Sequence, residues 1–174
     1  GGDTDISGRD SETLDQITGG TVSWNQLIKN GNFESTNDWI ISGGTLTATN
    51  NILTITATGA NPQASQYIGT LIAGHKYYAH CTVTPAQDTT RSRVTIGSKS
   101  LFPYTENSLT AGVRYDRSKI ISVTSDEANA RAYIAINYNS ATAGDTMTVE
   151  NYMVIDLTQM FGSTIADYIY SLEQ

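Results

Sequence analysis

Seven residues, Arg131-Ala132-Tyr133-Ile134-Ala135-Ile136-Asn137, alternate between bulky polar and apolar types. An extended chain sends Ala132, Ile134 and Ile136 to one side and Arg131, Tyr133 and Asn137 to the other. The second set is suited to a hydroxylated ligand. A tyrosine ring offers a flat apolar face with a polar handle, and guanidinium and amide groups offer paired donors and acceptors. In Tyr77-Tyr78-Ala79-His80-Cys81-Thr82-Val83-Thr84 the inward set is Tyr77, Ala79, Cys81 and Val83, leaving Tyr78 and His80 outward. Arg93 opens a third alternating segment, Arg93-Val94-Thr95-Ile96. Placed side by side, these three strands would make one polar-aromatic patch. Loop aromatics form a second set. Phe102, Tyr104 and Tyr115 read either as rim residues where binding groups concentrate, or as a plug for one end of the sandwich, with Phe102 filling it and the tyrosines covering it. With 10 tyrosines against 2 tryptophans, tyrosine is the expected stacking residue.

Other chemistry finds less support. Glycoside hydrolysis needs two carboxylates facing each other across a cleft, and the acids from Glu34 to Asp156 lie mostly in polar, turn-like stretches with no convergent pair. A nucleophile–histidine–acid triad could draw only on His75 and His80, and no Gly-x-Ser-x-Gly elbow is present. Those two histidines follow no ligand pattern for zinc and no Cys-x-x-Cys accompanies them. The one cysteine, Cys81, falls at an inward position and reads as a small buried apolar residue. The expectation is therefore no catalytic residue, no enzyme and no required cofactor.

The elements that must position the patch follow from composition and period. The chain has 174 residues, enough for one domain with a real core. Only 16% are charged, and Thr, Ser, Asn and Gly are abundant, which suits strands with hydroxyl-bearing outer faces. A net charge of −7 argues against nucleic acid and anionic membranes as partners. No stretch has the length of a membrane span, and none reads as a secretion signal. Asp3, Asp5, Asp10, Glu12 and Asp15 crowd residues 1–23, which read as an acidic flexible linker. From Trp24 to Leu157 short one-sided strands are separated by turns such as Ser42-Gly43-Gly44, Asn50-Asn51 and Ala143-Gly144-Asp145. Such strands must close their apolar faces against a second sheet, which predicts an all-β sandwich of jelly-roll type. The last part, Thr146 to Asp156, reads as a final pair of strands. Residues 158–174 carry apolar side chains at 165, 168, 169 and 172, the spacing of a short helix, with Ser163 or Thr164 as its N-cap.

Three motifs carry a family resemblance. Leu27-Ile28-Lys29-Asn30-Gly31-Asn32-Phe33-Glu34 with Trp39 resembles the opening strand of the jelly-roll carbohydrate-binding modules attached to xylanases and glucanases. Gly74-His75-Lys76-Tyr77 and Glu150-Asn151-Tyr152-Met153-Val154 resemble the opening of a central strand and the closing strand of the same modules. The resemblance implies that Trp39 packs beneath the opening strand. It also implies a structural calcium held by Glu34 and Glu150, although the family usually has aspartate at the second position. The flanks Val22-Ser23-Trp24-Asn25-Gln26-Leu27 and Ile155-Asp156-Leu157-Thr158-Gln159-Met160-Phe161-Gly162 are similar to segments of tail proteins from phages of Gram-positive bacteria. That similarity implies a virion part, assembled with other tail proteins, that binds host cell-wall saccharide. A tail decoration or spacer without ligand, and a polysaccharide-degrading tail enzyme, stand as alternatives.

Overall fold

The computed structural model describes residues 26–102 and 106–174; the linker expected over 1–23 and Tyr104 lie outside them. Ten strands follow in order: β1 (Ile40–Ser42), β2 (Gly44–Thr49), β3 (Ile52–Ala57), β4 (Gln63–Leu71), β5 (Lys76–Pro85), β6 (Arg93–Ile96), β7 (Lys99–Ser100), β8 (Tyr115–Ser122), β9 (Glu127–Ala135) and β10 (Thr146–Asp156). Two helices close the chain, α1 (Leu157–Phe161) and α2 (Ser163–Ser171). The strands form two five-stranded antiparallel sheets, β1-β4-β9-β6-β7 and β2-β3-β10-β5-β8. This is the expected jelly-roll sandwich.

The alternation places side chains as expected. Leu53, Ile55, Tyr77, Ala79, Cys81, Val83, Val94, Ile96, Ala132, Ile134 and Ile136 are all buried and belong to one apolar core. Burial pushes the Cys81 thiol well above its ordinary pKa, so it packs as an apolar residue. Strand β4 hides from a reading by period alone. Ala64, Ser65, Gln66 and Ile68 are all buried, and a buried glutamine breaks the alternation. The Gln66 amide is satisfied because its carbonyl accepts from the Lys29 N–H at 2.9 Å and its NH2 donates to the Lys29 carbonyl at 2.9 Å.

Three expectations need correction. The stretch Leu27–Glu34 is not a strand. It is a chain of turns, joined to the sheet by a bridge between Gln26 and Ile155 and by the bond from Leu27 N–H to the Val154 carbonyl. Asn30 and Phe33 take left-handed backbone conformations there. Gly31 is required because any Cβ would collide with the backbone carbonyl of Tyr152. The turns seat Phe33 and Trp39 in the core, with ring centroids 5.5 Å apart and Tyr152 5.8 Å from Trp39. Trp39 thus packs inward, its Nε1–H donating to the Asn30 carbonyl.

The region Thr146–Asp156 is one strand, not two, broken by a register shift between Glu150 and Met153. A bulge lets Asn151 adopt positive φ and turns Tyr152 into the core, so the inward set reads Met147, Val149, Tyr152, Val154.

The C-terminal helix packs through a different face from the one its spacing suggested. Ala166, Ile169 and Tyr170 face the sandwich, while Ile165, Tyr168 and Leu172 are exposed. Ion pairing and cation–π contact select that face: Lys76 reaches Asp167 at 3.2 Å and lies over the Tyr170 ring, and Glu173 accepts the Ile120 N–H. Gly162, not Ser163 or Thr164, occupies the N-cap position of α2. The unexpected helix α1 is capped by Asp156, whose carboxylate accepts the Gln159 N–H at 2.9 Å.

Candidate functional site

The outer face of the sheet β1-β4-β9-β6-β7 is organised in three rows. Residues opposite one another on antiparallel strands share a face, so the register sets the rows directly. The middle row runs Ile40, Ser65, Tyr133, Thr95, Ser100 across all five strands. One row beyond it pairs Tyr67 with Arg131, and the row on the other side runs Ser42, Gln63, Ala135, Arg93. Tyr133 therefore sits at the centre.

Two guanidinium groups flank it, each laid on a tyrosine. Arg131 lies 4.3 Å from the Tyr67 ring centroid, and its Nη2 donates to the Tyr67 hydroxyl. Arg93 lies 3.7 Å from the Tyr138 centroid, with Arg91 at 5.7 Å from the same ring. Such contacts contribute roughly 0.5–1 kcal/mol each at exposed sites. Beside Tyr133, a cleft of about 220 Å³ is lined by Arg93, Thr95, Ser98, Ser100, Phe102 and Asn107. Phe102 is buried in the core, which favours the plug reading for that residue.

Partial burial pushes the Tyr133 phenol up to about 12, with the neighbouring Tyr138 adding to the shift and Arg93 opposing it. Its hydroxyl is therefore a neutral donor and acceptor throughout the physiological range. Beneath the row, the buried Tyr152 hydroxyl crosses the core and donates to the Thr95 carbonyl at 2.7 Å.

The structure brings together Arg131, Tyr133 and Arg93 from the sequence-derived set, and separates the rest. Tyr78 and His80 lie on β5, in the opposite sheet, so they cannot share a patch with Tyr133. His80 is engaged locally, with Nδ1 2.8 Å from the Asn151 carbonyl oxygen and Nε2 2.5 Å from Asp116. Those contacts, His80 first and then the Thr82 hydroxyl, hold the Asp116 carboxyl below its ordinary value. Asn137 is not outward. The strand ends at Ala135, and the buried Asn137 carbonyl accepts the Thr90 and Arg91 N–H groups while its NH2 donates to the Ser140 carbonyl. It shapes the loop that presents Arg91 and Arg93. Tyr115 opens β8 on the opposite sheet, and its hydroxyl accepts the Thr110 N–H.

Two members of the face were missed by sequence reasoning. Tyr67 sits on the strand whose alternation is broken. Tyr138 lies past the end of β9, where no period remains. The usable signal for Tyr67 was Ala64, Gln66 and Ile68 one residue out of phase with Ser65 and Tyr67.

Of the two carboxylates expected to hold calcium, Glu34 accepts from the Asn32 amide and Glu150 has the Arg114 guanidinium 3.4 Å away. Among the described residues no group of three or more His, Cys, Asp or Glu side chains is placed to hold a metal.

Comparison with solved structures decides the fold family. A family 4 carbohydrate-binding module matches with TM-score 0.55 at 14% identity, over 70% of this chain and 96% of that one. The N-terminal cellulose-binding domain of Cellulomonas fimi β-1,4-glucanase C matches with TM-score 0.55 at 14% identity, over 74% and 95%. The fold is that of a carbohydrate-binding module. The enzymatically active domain of bacteriophage CBA120 tailspike protein 4 matches with TM-score 0.51 at 15% identity, over 76% of this chain and 21% of that one. No family model and no curated protein matches the sequence.

Proposed function

We propose that this chain is a non-catalytic module that binds saccharide on the outer face of the sheet β1-β4-β9-β6-β7, and that it serves a phage tail during adsorption to the host cell wall. The observation that carries the reading is the central Tyr133, half-buried, flanked by stacked arginine–tyrosine pairs and bordered by Ser and Thr hydroxyls. A flat ring meets the C–H face of a sugar, and the surrounding N–H and O–H groups meet its hydroxyls. The similarity to carbohydrate-binding modules supports the ligand class, and the tailspike among the similar structures supports the tail. The flanking segments noted in the sequence point the same way.

A shallow face of this kind binds weakly, with Kd on the order of micromolar to millimolar. Display of several copies on one tail raises effective strength by roughly 10²–10⁴. The test is fluorescently tagged protein applied to host cells and to purified wall polysaccharide, with soluble sugars as competitors. Labelling that survives protease treatment of the cells and is competed by sugar is the expected result. Blank walls, or labelling lost to protease, would overturn the reading.

A further inference from the structure

The arginines of this protein divide between the two sheets. Arg114 and Arg117, on the side of β8, each face a carboxylate, Glu150 at 3.4 Å and Glu106 at 3.7 Å. Arg91, Arg93 and Arg131, all on the Tyr133 side, face none among the described residues. Their contacts are tyrosine rings. Among the described residues, this face keeps its guanidinium groups free of internal anions.

Each guanidinium carbon lies over a tyrosine ring rather than beside a carboxylate, so its N–H donors are not held by an internal anion among the described residues, and such donors can meet a carboxylate or phosphate with two parallel bonds. Arg93 makes no hydrogen bond to another described residue, and Arg131 gives Nη2 to Tyr67 and retains its other donors. The register puts Arg93 opposite Ala135, four residues from Arg131 on the same strand, so the two sit about 13 Å apart with Tyr133 midway. Among the described residues of these strands the acid on this face is Glu127, at the far end of β9, whose oxygens accept from the Ser98 N–H and hydroxyl.

We infer that the ligand of the Tyr133 face is an acidic saccharide, a polymer whose carboxylate or phosphate groups are gripped by Arg93 and Arg131 while a sugar ring stacks on Tyr133. This rests on the saccharide reading of the same face. It differs from that reading by a charge that can be removed chemically without altering the sugar backbone.

The test is affinity electrophoresis of the full chain in gels containing polygalacturonate, alginate or hyaluronate, each run beside its carboxyl-reduced neutral form, at low and high salt. A polyglycerol-phosphate polymer provides the phosphate arm. The acidic members of one arm should retard the protein at least tenfold more strongly than the neutral forms, and added salt should weaken them. Arg93→Gln and Arg131→Gln should each lose about tenfold, while Arg114→Gln on the opposite sheet should lose nothing. Equal retardation by acidic and reduced polymers would overturn this inference and leave the saccharide reading standing. Acidic binding indifferent to both Arg93→Gln and Arg131→Gln would overturn the assignment to this face. No retardation by any polymer, together with blank host walls, would overturn both readings.

Discussion

The two outer faces of the sandwich are built by the same rule and carry different chemistry. On the sheet β2-β3-β10-β5-β8, register aligns Thr47, Thr54, Thr148 and Thr84 across four strands, with Thr45, Thr56 and Thr146 in the next row. Part of the rest is covered by the C-terminal helices, while Asp116 on β8 stays exposed. Tyr78, Met153, Ile155 and Ile120 lie under or beside the C-terminal helices. On the other sheet the corresponding rows hold tyrosine, arginine and serine, and no helix lies over them among the described residues. Threonine ladders stabilise a sheet through β-branched cross-strand contacts and offer no broad ring. The Tyr133 face fills its outward positions with rings and guanidinium groups, Tyr67 and Arg131 paired in one row among them. Outward polarity alone therefore does not mark a binding surface; the kind of side chain, and whether anything covers it, does.

The contrast can be broken in order of size. Tyr133→Ala should weaken saccharide binding on the order of a hundredfold, about 2.7 kcal/mol, measured by titration calorimetry, with little change in thermal stability. If binding is unmoved, the face is wrongly assigned. Asn137→Ala leaves two partly buried N–H groups without their acceptor, so unfolding in urea should show about 1 kcal/mol of lost stability, with weaker binding through the displaced Arg91 and Arg93. An unchanged urea midpoint would show that the loop holds itself.

Tyr152→Phe removes the hydroxyl that braces Thr95 from inside the core, and about 1 kcal/mol should go from the unfolding free energy. On the threonine face, Thr148→Ala should cost about 0.5 kcal/mol or less and leave binding untouched. A binding loss there would mean that the second face also meets ligand. The smallest effect is a pH dependence. Asp116 is held below its ordinary aspartate value of 3.8, so its contribution is complete above that value and is lost as pH falls through the lower folded value. Asp116→Asn should lower stability slightly at neutral pH, where the carboxylate's contribution is complete, and flatten acid unfolding below about pH 4. Because the carboxylate is largely exposed, the slope is small.

How much of this was legible from sequence can be read residue by residue. Tyr133 and Arg131 were assigned outward because their strand alternates without a fault, and the same held for Arg93. Asn137 carried the same phase but lay past the strand end, where phase has no meaning. Tyr67 was hidden by the buried Gln66, whose amide imitates a backbone partner for Lys29. The stretch 27–34 was expected as a strand only through its resemblance to an opening strand, and the close approach of Gly31 to the Tyr152 carbonyl, which fixes the turns, is a tertiary contact that local sequence does not show.

Period-two alternation determined by itself that the chain would be a two-layered β structure, and which side of each regular strand would be wet. That information is local, since successive side chains on a pleated backbone must point to opposite faces. Which strands stand next to each other was decided by tertiary structure, because pairing joins residues far apart in the chain: Ser65 to Tyr133 and Tyr133 to Thr95 on one sheet, His80 to Ser118 on the other. The same outward phase put Tyr78 and Tyr133 on opposite sides of the molecule, and only the long-range register separated them.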